Sequence, residues 1–160
     1  MRKVDLQIFV EIHSRPELSD ADQILFREAR EATRTAYSPY SNFCVGAALR
    51  LEDGTVLRGS NQENAAFPSG LCAERTAVFA AAVQHPGKRI DAIAIVACPA
   101  ESRQFVPISP CGGCRQVLLE YEQKQGSPMR VLMDGETDQV TVFPSAAALL
   151  PNGFSAGHLQ

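Results

Sequence analysis

Two short segments limit what this chain can become more than any others. "GLCAERTAVF" carries Cys72, Glu74 and Arg75, and "SPCGGCRQVL" carries Cys111, Cys114 and Arg115. Each opens a stretch rich in helix formers directly after a loop marked by Gly, Pro or Ser. Three of the five cysteines therefore stand where two helices are expected to begin. A fold that sets those two helix starts side by side brings three thiols to one point. Helix N-termini carry unsatisfied N–H groups and partial positive charge, which favour thiolate over thiol. Three thiolates with no obvious fourth protein ligand suit zinc with one open coordination position, as in a catalytic metal site. His13, His85 and His158 lie in no comparable setting. Cys44 in "NFCVGAAL" and Cys98 in "IAIVACPA" sit in strand-like apolar runs and read as buried small hydrophobes. An odd number of cysteines is also poor material for a disulfide framework.

Zinc with three thiolates is net negative, which weakens its power to acidify a water. Arg75, three residues after Cys72, and Arg115, four after Cys111, share a helical face with a sulfur about one turn away. Both are expected to hydrogen-bond thiolates and offset that charge. Glu74 is in the same first turn as Cys72. It can reach a water at the open metal position without binding the metal, which suits a proton shuttle.

The remaining sequence frames this site. The length of 160 residues is that of one ordinary domain, expected to span 1–160. A net charge of −3 with no Lys/Arg block argues against a protein that grips nucleic acid. No apolar run approaches the ~18 residues of a membrane span. "MRKVDLQIFVEIHS" alternates polar and apolar residues instead of showing a signal-peptide core, so a cytoplasmic protein is expected. Within it Val4, Leu6, Ile8, Val10 and Ile12 recur at period two and predict a strand. "LSDADQILFREAREATRTAY" predicts an amphipathic helix capped by Ser19, with Ile24, Leu25, Ala29 and Ala32 inward. "FCVGAALRL" and "TVLRGSN" read as a hairpin about "EDG". "CAERTAVFAAAVQ" and "CGGCRQVLLEYEQKQG" read as helices, with the apolar strand "IDAIAIVAC" between them. "MRVLMD" and "QVTVF" are short strands around "GETD", and "PSAAALLP" is a short helix with Pro144 near its first turn. The alternation of strands and helices predicts a layered α/β domain with strands between helices.

"CAER" with "PCGGC" resembles the zinc-dependent cytidine deaminases. "YSPYSNFCVGAAL", "GSNQENAAFPSGLCAERTAVF" and "SPCGGCRQVL" resemble their short, homotetrameric nucleoside-deaminase branch. The likeness runs from about Tyr37 to Leu119 and resumes at "LLPNGF". It implies a three-layer α/β/α sandwich with a mixed sheet of about five strands, here with an extra N-terminal strand. It implies one zinc per chain on Cys72, Cys111 and Cys114, and hydrolysis of cytidine and 2′-deoxycytidine with Glu74 moving the protons. Asn61 and Glu63 would hold the ribose hydroxyls. Phe43 would pack against the nucleoside, and backbone groups of Ala73 and Ser109 would read the base. Phe154 resembles a C-terminal aromatic that enters a neighbouring subunit's site, so the resemblance implies a homotetramer acting on a small molecule, with no nucleic acid or membrane partner. Gln62 stands where the family usually has an aliphatic residue. Two other readings stay open: a deaminase of a modified or antibiotic cytosine nucleoside of the blasticidin type, and a non-catalytic zinc-stabilised interaction module. A deaminase of tRNA or DNA fits the acidic balance less well.

Overall fold

The run "IDAIAIVACP" becomes strand β4 (Ile90–Pro99), and its side chains show why it is apolar throughout. Ile93 and Ile95 point into one hydrophobic core, while Ala92, Ala94 and Val96 point into another on the opposite face. Burying an isoleucine in this way stabilises by roughly 1.5–3 kcal/mol. Alternation is lost on such a strand because neither face meets water. The computed structural model describes residues 1–135 and 138–159. Around β4 lie β1 (Glu11–Ser14), β2 (Phe43–Leu51), β3 (Val56–Ser60), β5 (Arg130–Asp134) and β6 (Gln139–Phe143). They form a mixed sheet of six strands in the order β1-β6-β5-β4-β2-β3. Only β4 and β5 pair in parallel among these neighbours.

Helix α1 (Asp20–Ala32) packs on one face of the sheet through Leu25, Phe26 and Ala29. Helices α2 (Ala73–Gln84) and α3 (Gly112–Gln125), with a 3-10 turn at Ala146–Leu149, cover the other face. This is the three-layer α/β/α arrangement that the element order and the resemblance lead one to expect. Ser19 caps α1 as anticipated, its Oγ accepting from Asp22 N at 3.2 Å. Ile24 does not belong to the buried stripe and is exposed. Asp22 does belong to it, because the sheet supplies Arg50 at 3.3 Å and Arg130 at 3.0 Å to pair with its carboxylate. A buried ion pair of this kind is invisible to apolar periodicity. Pro144 precedes the Ala146–Leu149 turn, which Ser145 caps. Glu136 and Thr137 of the expected "GETD" connection lie outside the described residues.

One glycine sets the position of the site. A Cβ on Gly59 of β3 would lie 2.4 Å from Ala73 O and 2.5 Å from Ala77 N. The start of α2 therefore rests directly on the β3 backbone, which fixes Cys72 and Glu74 relative to the sheet.

The expected strand over Val4–Ile12 is corrected. Pairing covers only Glu11–Ser14, against β6, with Glu11 opposite Val142 as its outermost pair. β6 ends at Phe143, and the next residue is Pro144, which has no N–H to offer a ladder. Residues 1–10 overhang that end, carry no regular structure and are exposed. Periodicity reports that a strand could bury one face. It cannot report that the partner strand is too short.

Candidate active site

Cys72 is the N-cap of α2 and Cys111 the N-cap of α3; neither sulfur makes a capping bond. Cys114 follows in the first turn of α3 and is fully buried. The Sγ atoms of Cys72 and Cys111 are 3.8 Å apart, and those of Cys111 and Cys114 are 3.5 Å apart. All three lie within 4.8 Å of one another. Thiolates about 2.3 Å from a tetrahedral zinc stand about 3.8 Å apart, so the spacing already fits the metal.

The charge state of the cluster points the same way. The Cys114 thiol donates toward Cys72 and, with Arg75, holds the Cys72 pKa down to about 5. The bond to Cys72, followed by burial, pushes Cys114 up from its ordinary value. Three thiolates this close need a cation to hold them. Among the described residues, no other group of three or more His, Cys, Asp or Glu is placed to hold a metal. Cys44 and Cys98 are buried on neighbouring strands and take no part.

Arg75 behaves as its spacing indicates, with Nη2 donating to Cys72 Sγ at 3.6 Å. Arg115 does not bond a thiolate, and the expectation is corrected. Its Nε donates to Pro110 O at 2.8 Å, Nη1 to Leu149 O at 3.1 Å and Nη2 to Ser109 Oγ at 2.8 Å. Oxygen acceptors are stronger than a shared thiol, and the fold brings three of them to this guanidinium. Arg115 thus ties the Ser109–Pro110 segment to α3 and to the C-terminal turn.

Glu74, second residue of α2, is 4% exposed. Burial raises its pKa from the ordinary value, and the Cys72 thiolate nearby raises it further. A carboxyl so placed retains a proton more readily than a surface glutamate. Glu74, Cys72 and Cys111 all line a cleft of about 630 Å³, within the ~300–1,000 Å³ usual for small-molecule sites.

Phe43, Asn61, Glu63 and Ser109 line the same cleft. Asn61 Oδ1 accepts from Val45 N at 2.8 Å, and its Nδ2 donates to Phe43 O at 2.9 Å. Its amide thereby continues the β2–β3 ladder where β3 ends. Glu63 Oε2 accepts from Tyr40 N at 2.9 Å and Ser41 N at 3.3 Å. Those bonds, with that from the Ser41 side chain the largest influence, lower its pKa and keep it ionised. A carboxylate has further acceptor sites beyond the two used. Ala73 is fully buried behind the cleft, at the first position of α2. Phe154 stands outside the cleft, 56% exposed, stacked on His158 at 5.4 Å between ring centroids. Its carbonyl accepts from Gln116 Nε2 at 2.9 Å.

Among the lining residues not singled out from the sequence are Tyr40, Phe67 and Ile108. Tyr40 and Phe67 meet edge-on, 5.8 Å between centroids, and Ile108 joins them along the cleft. The available signal was aromatic residues placed in otherwise polar loops, where no core calls for them.

Comparison with known proteins sets this geometry among relatives. The family model of the cytidine and deoxycytidylate deaminase zinc-binding region matches residues 19–126. A cytidine deaminase of Halalkalibacterium halodurans is 42% identical over 135 residues, covering 84% of this chain and 94% of that protein. One from Sporosarcina psychrophila is 43% identical over 136 residues, 85% of this chain and 93% of that protein. The crystal structure of cytidine deaminase from Burkholderia pseudomallei superposes with a TM-score of 0.70 at 42% identity, covering 82% of this chain and 98% of that one.

Proposed function

Since this chain belongs to the cytidine and deoxycytidylate deaminase family, we propose that it hydrolyses cytidine to uridine and ammonia, and 2′-deoxycytidine to 2′-deoxyuridine. The observation that carries the reading is the set of three sulfurs at zinc spacing with the buried Glu74 carboxyl in the same cleft. A structural zinc site has no use for an unliganded buried glutamate. Cys72, Cys111 and Cys114 would hold zinc, which would supply the acidity that lets a water lose a proton near neutral pH.

The chain's own residues do the rest, by the route general to zinc nucleobase deaminases. Glu74 accepts the proton released by the attacking water. It presents that proton to N3 of the base, so that C4 can take on the new oxygen. It then takes the second proton, from the new C4 hydroxyl, and passes it to the departing amine; C4=O forms, the C4–N4 bond breaks and ammonia leaves. A raised pKa suits these steps, since Glu74 must hold a proton between them. Arg75 draws charge from the Cys72 sulfur and so preserves the acidity of the metal. Asn61 and Glu63 hold the sugar, Phe43 packs on the nucleoside, and the backbone at Ala73 and Ser109 reads the base. Arg115 serves by bracing Ser109. Loss of ultraviolet absorbance on incubation with cytidine, with stoichiometric ammonia, tests the activity; a zinc-loaded protein that leaves cytidine unchanged overturns it.

Sugar recognition makes two measurements predictable. Glu63→Ala lowers kcat/KM for cytidine at least ~10-fold, the loss expected for a charge-assisted hydrogen bond, while zinc content stays at one per chain. Free cytosine is a poor substrate of the unmutated enzyme, because it lacks what Asn61 and Glu63 hold. Efficient turnover of cytosine contradicts the nucleoside assignment.

The active enzyme is a homotetramer in which Phe154 enters a neighbour's cleft. Its exposure and its separation from the cleft of its own chain support this. An apolar wall supplied by a neighbour excludes water without the entropy cost of ordering a long lid. Phe154→Ala should raise KM for cytidine several-fold with zinc retained. A fully active monomer by light scattering would count against both statements. A reducing, cytoplasmic setting suits the enzyme, because all five cysteines stand as free thiols.

A further inference from the structure

We propose that the N-terminal arm, residues 2–12, is a pairing strand for the same arm of a second copy of this chain. The inference stands apart from the deaminase reading, because the family match covers residues 19–126 and the arm lies outside it.

Three observations carry it. β1 is an edge strand with β6 as its one neighbour, and the arm continues it past the end of β6. Backbone donors and acceptors of residues 2–10 therefore have no strand on either side. An extended edge of this sort templates pairing with another chain unless it is blunted. The arm contains neither Pro nor Gly, and one of its faces is Val4, Leu6, Ile8, Val10 and Ile12. Those five side chains are 70, 69, 48, 42 and 66% exposed, and among the described residues no element of the same chain covers them.

The third observation is the placement of charge, and it selects one partner and one register. Lys3 stands near the start of the arm and Glu11 near its end, on the face opposite the apolar one. An antiparallel pair with its two-fold axis at Gln7 sets Lys3 of each copy against Glu11 of the other. Val4 then faces Val10 of the second copy, and Leu6 faces Ile8. Glu11 already has His13 Nε2 at 2.9 Å, so its carboxylate would lie between two bases. An axis at Ile8 would set Asp5 against Glu11 and Lys3 against His13. An axis at Phe9 would set Lys3 against Arg15, which already holds Asp134 and Asp138. A register shifted by one would place apolar side chains opposite polar ones on both faces. Opposite charges directly across two strands favour a pairing and like charges oppose it. An axis at Val4 would also set opposite charges together, Lys3 against Asp5, but it pairs only residues 1–7; the axis at Gln7 is the self-complementary register that spans the arm, as a two-fold interface requires.

The test uses disulfide capture in the purified full chain. Gln7 lies on the axis, so Gln7→Cys should form a disulfide-linked dimer rapidly with oxidised glutathione, well above the unmutated protein. Phe9 faces Asp5 of the second copy. Phe9→Cys alone should therefore link slowly, while Phe9→Cys mixed with Asp5→Cys should link rapidly. Equal rates for Gln7→Cys and Phe9→Cys overturn the register, and no linkage above the unmutated protein overturns the pairing. Deleting residues 1–10, which carry no regular structure, should raise the concentration for half-association by at least ~10-fold in light scattering. An unchanged value also overturns the proposal, even if the arm grips some other protein in a lysate. Cytidine turnover, followed separately by absorbance, reports on the deaminase reading alone.

Discussion

Glu74→Gln gives a folded, zinc-loaded protein that has lost nearly all turnover of cytidine. Glutamine matches glutamate closely in size, so the first turn of α2 and its contact with β3 at Gly59 are undisturbed. Removing a buried carboxyl whose charged form burial disfavours also costs the fold little. The amide can neither accept a proton nor return one. Acid–base catalysis typically contributes ~10²–10⁴-fold, and here one group serves successive transfers, so a loss of kcat at or beyond the upper end is expected. KM should change less than kcat, because the residues proposed to hold the sugar and the rest of the base are untouched. Single-turnover assays with zinc measured in the same samples check this. A zinc-loaded Glu74→Gln enzyme with near-normal kcat removes Glu74 from the mechanism.

Cys111→Ala abolishes activity by a different route, through the metal. Cys111 is an exposed helix cap without a capping bond, so its side chain contributes little to the fold. Its loss leaves two sulfurs, and a two-thiolate site does not retain zinc against dilution or a chelator. Zinc should fall from one per chain to near zero, and turnover should fall with it. The apoprotein should remain folded, since both hydrophobic cores are built without the metal. It should melt at a lower temperature, because a ligand that binds only the native state stabilises in proportion to RT ln(1 + [L]/Kd). Cys44→Ala and Cys98→Ala should keep full zinc, since both residues are buried away from the trio. Full zinc in Cys111→Ala, measured by metal analysis after dialysis against a chelator, would overturn the ligand assignment.

Much of the site was legible because its parts are local. A cap, a carboxylate two positions on and an arginine three positions on lie in one helical turn, whose geometry is the same wherever the helix sits. Hence Cys72, Glu74 and Arg75 could be read together, and so could Cys111 with Cys114. The hairpin of β2 and β3 was legible for the same reason, its turn lying between the runs it joins. Arg115 shows where locality ends. Its spacing is nearly that of Arg75, yet one of its acceptors is Leu149 O, 34 positions away. No spacing rule could weigh that oxygen against a neighbouring sulfur.

By itself the sequence determined the donor set, the helices that carry it, the layered order of strands and helices, and the family chemistry those motifs imply. These follow from interactions spanning a few residues, or from motifs long enough to be specific. Tertiary structure alone decided the rest. It placed Asp22 inside a helix stripe because two arginines wait on the sheet, and left Ile24 outside. It stopped the N-terminal strand at Glu11, because β6 ends at Phe143 and Pro144 cannot extend the ladder. It left Phe154 on the surface, away from the cleft of its own chain. In each case the deciding partner is distant in the chain, and periodicity records what a segment can bury, not whether anything arrives to cover it.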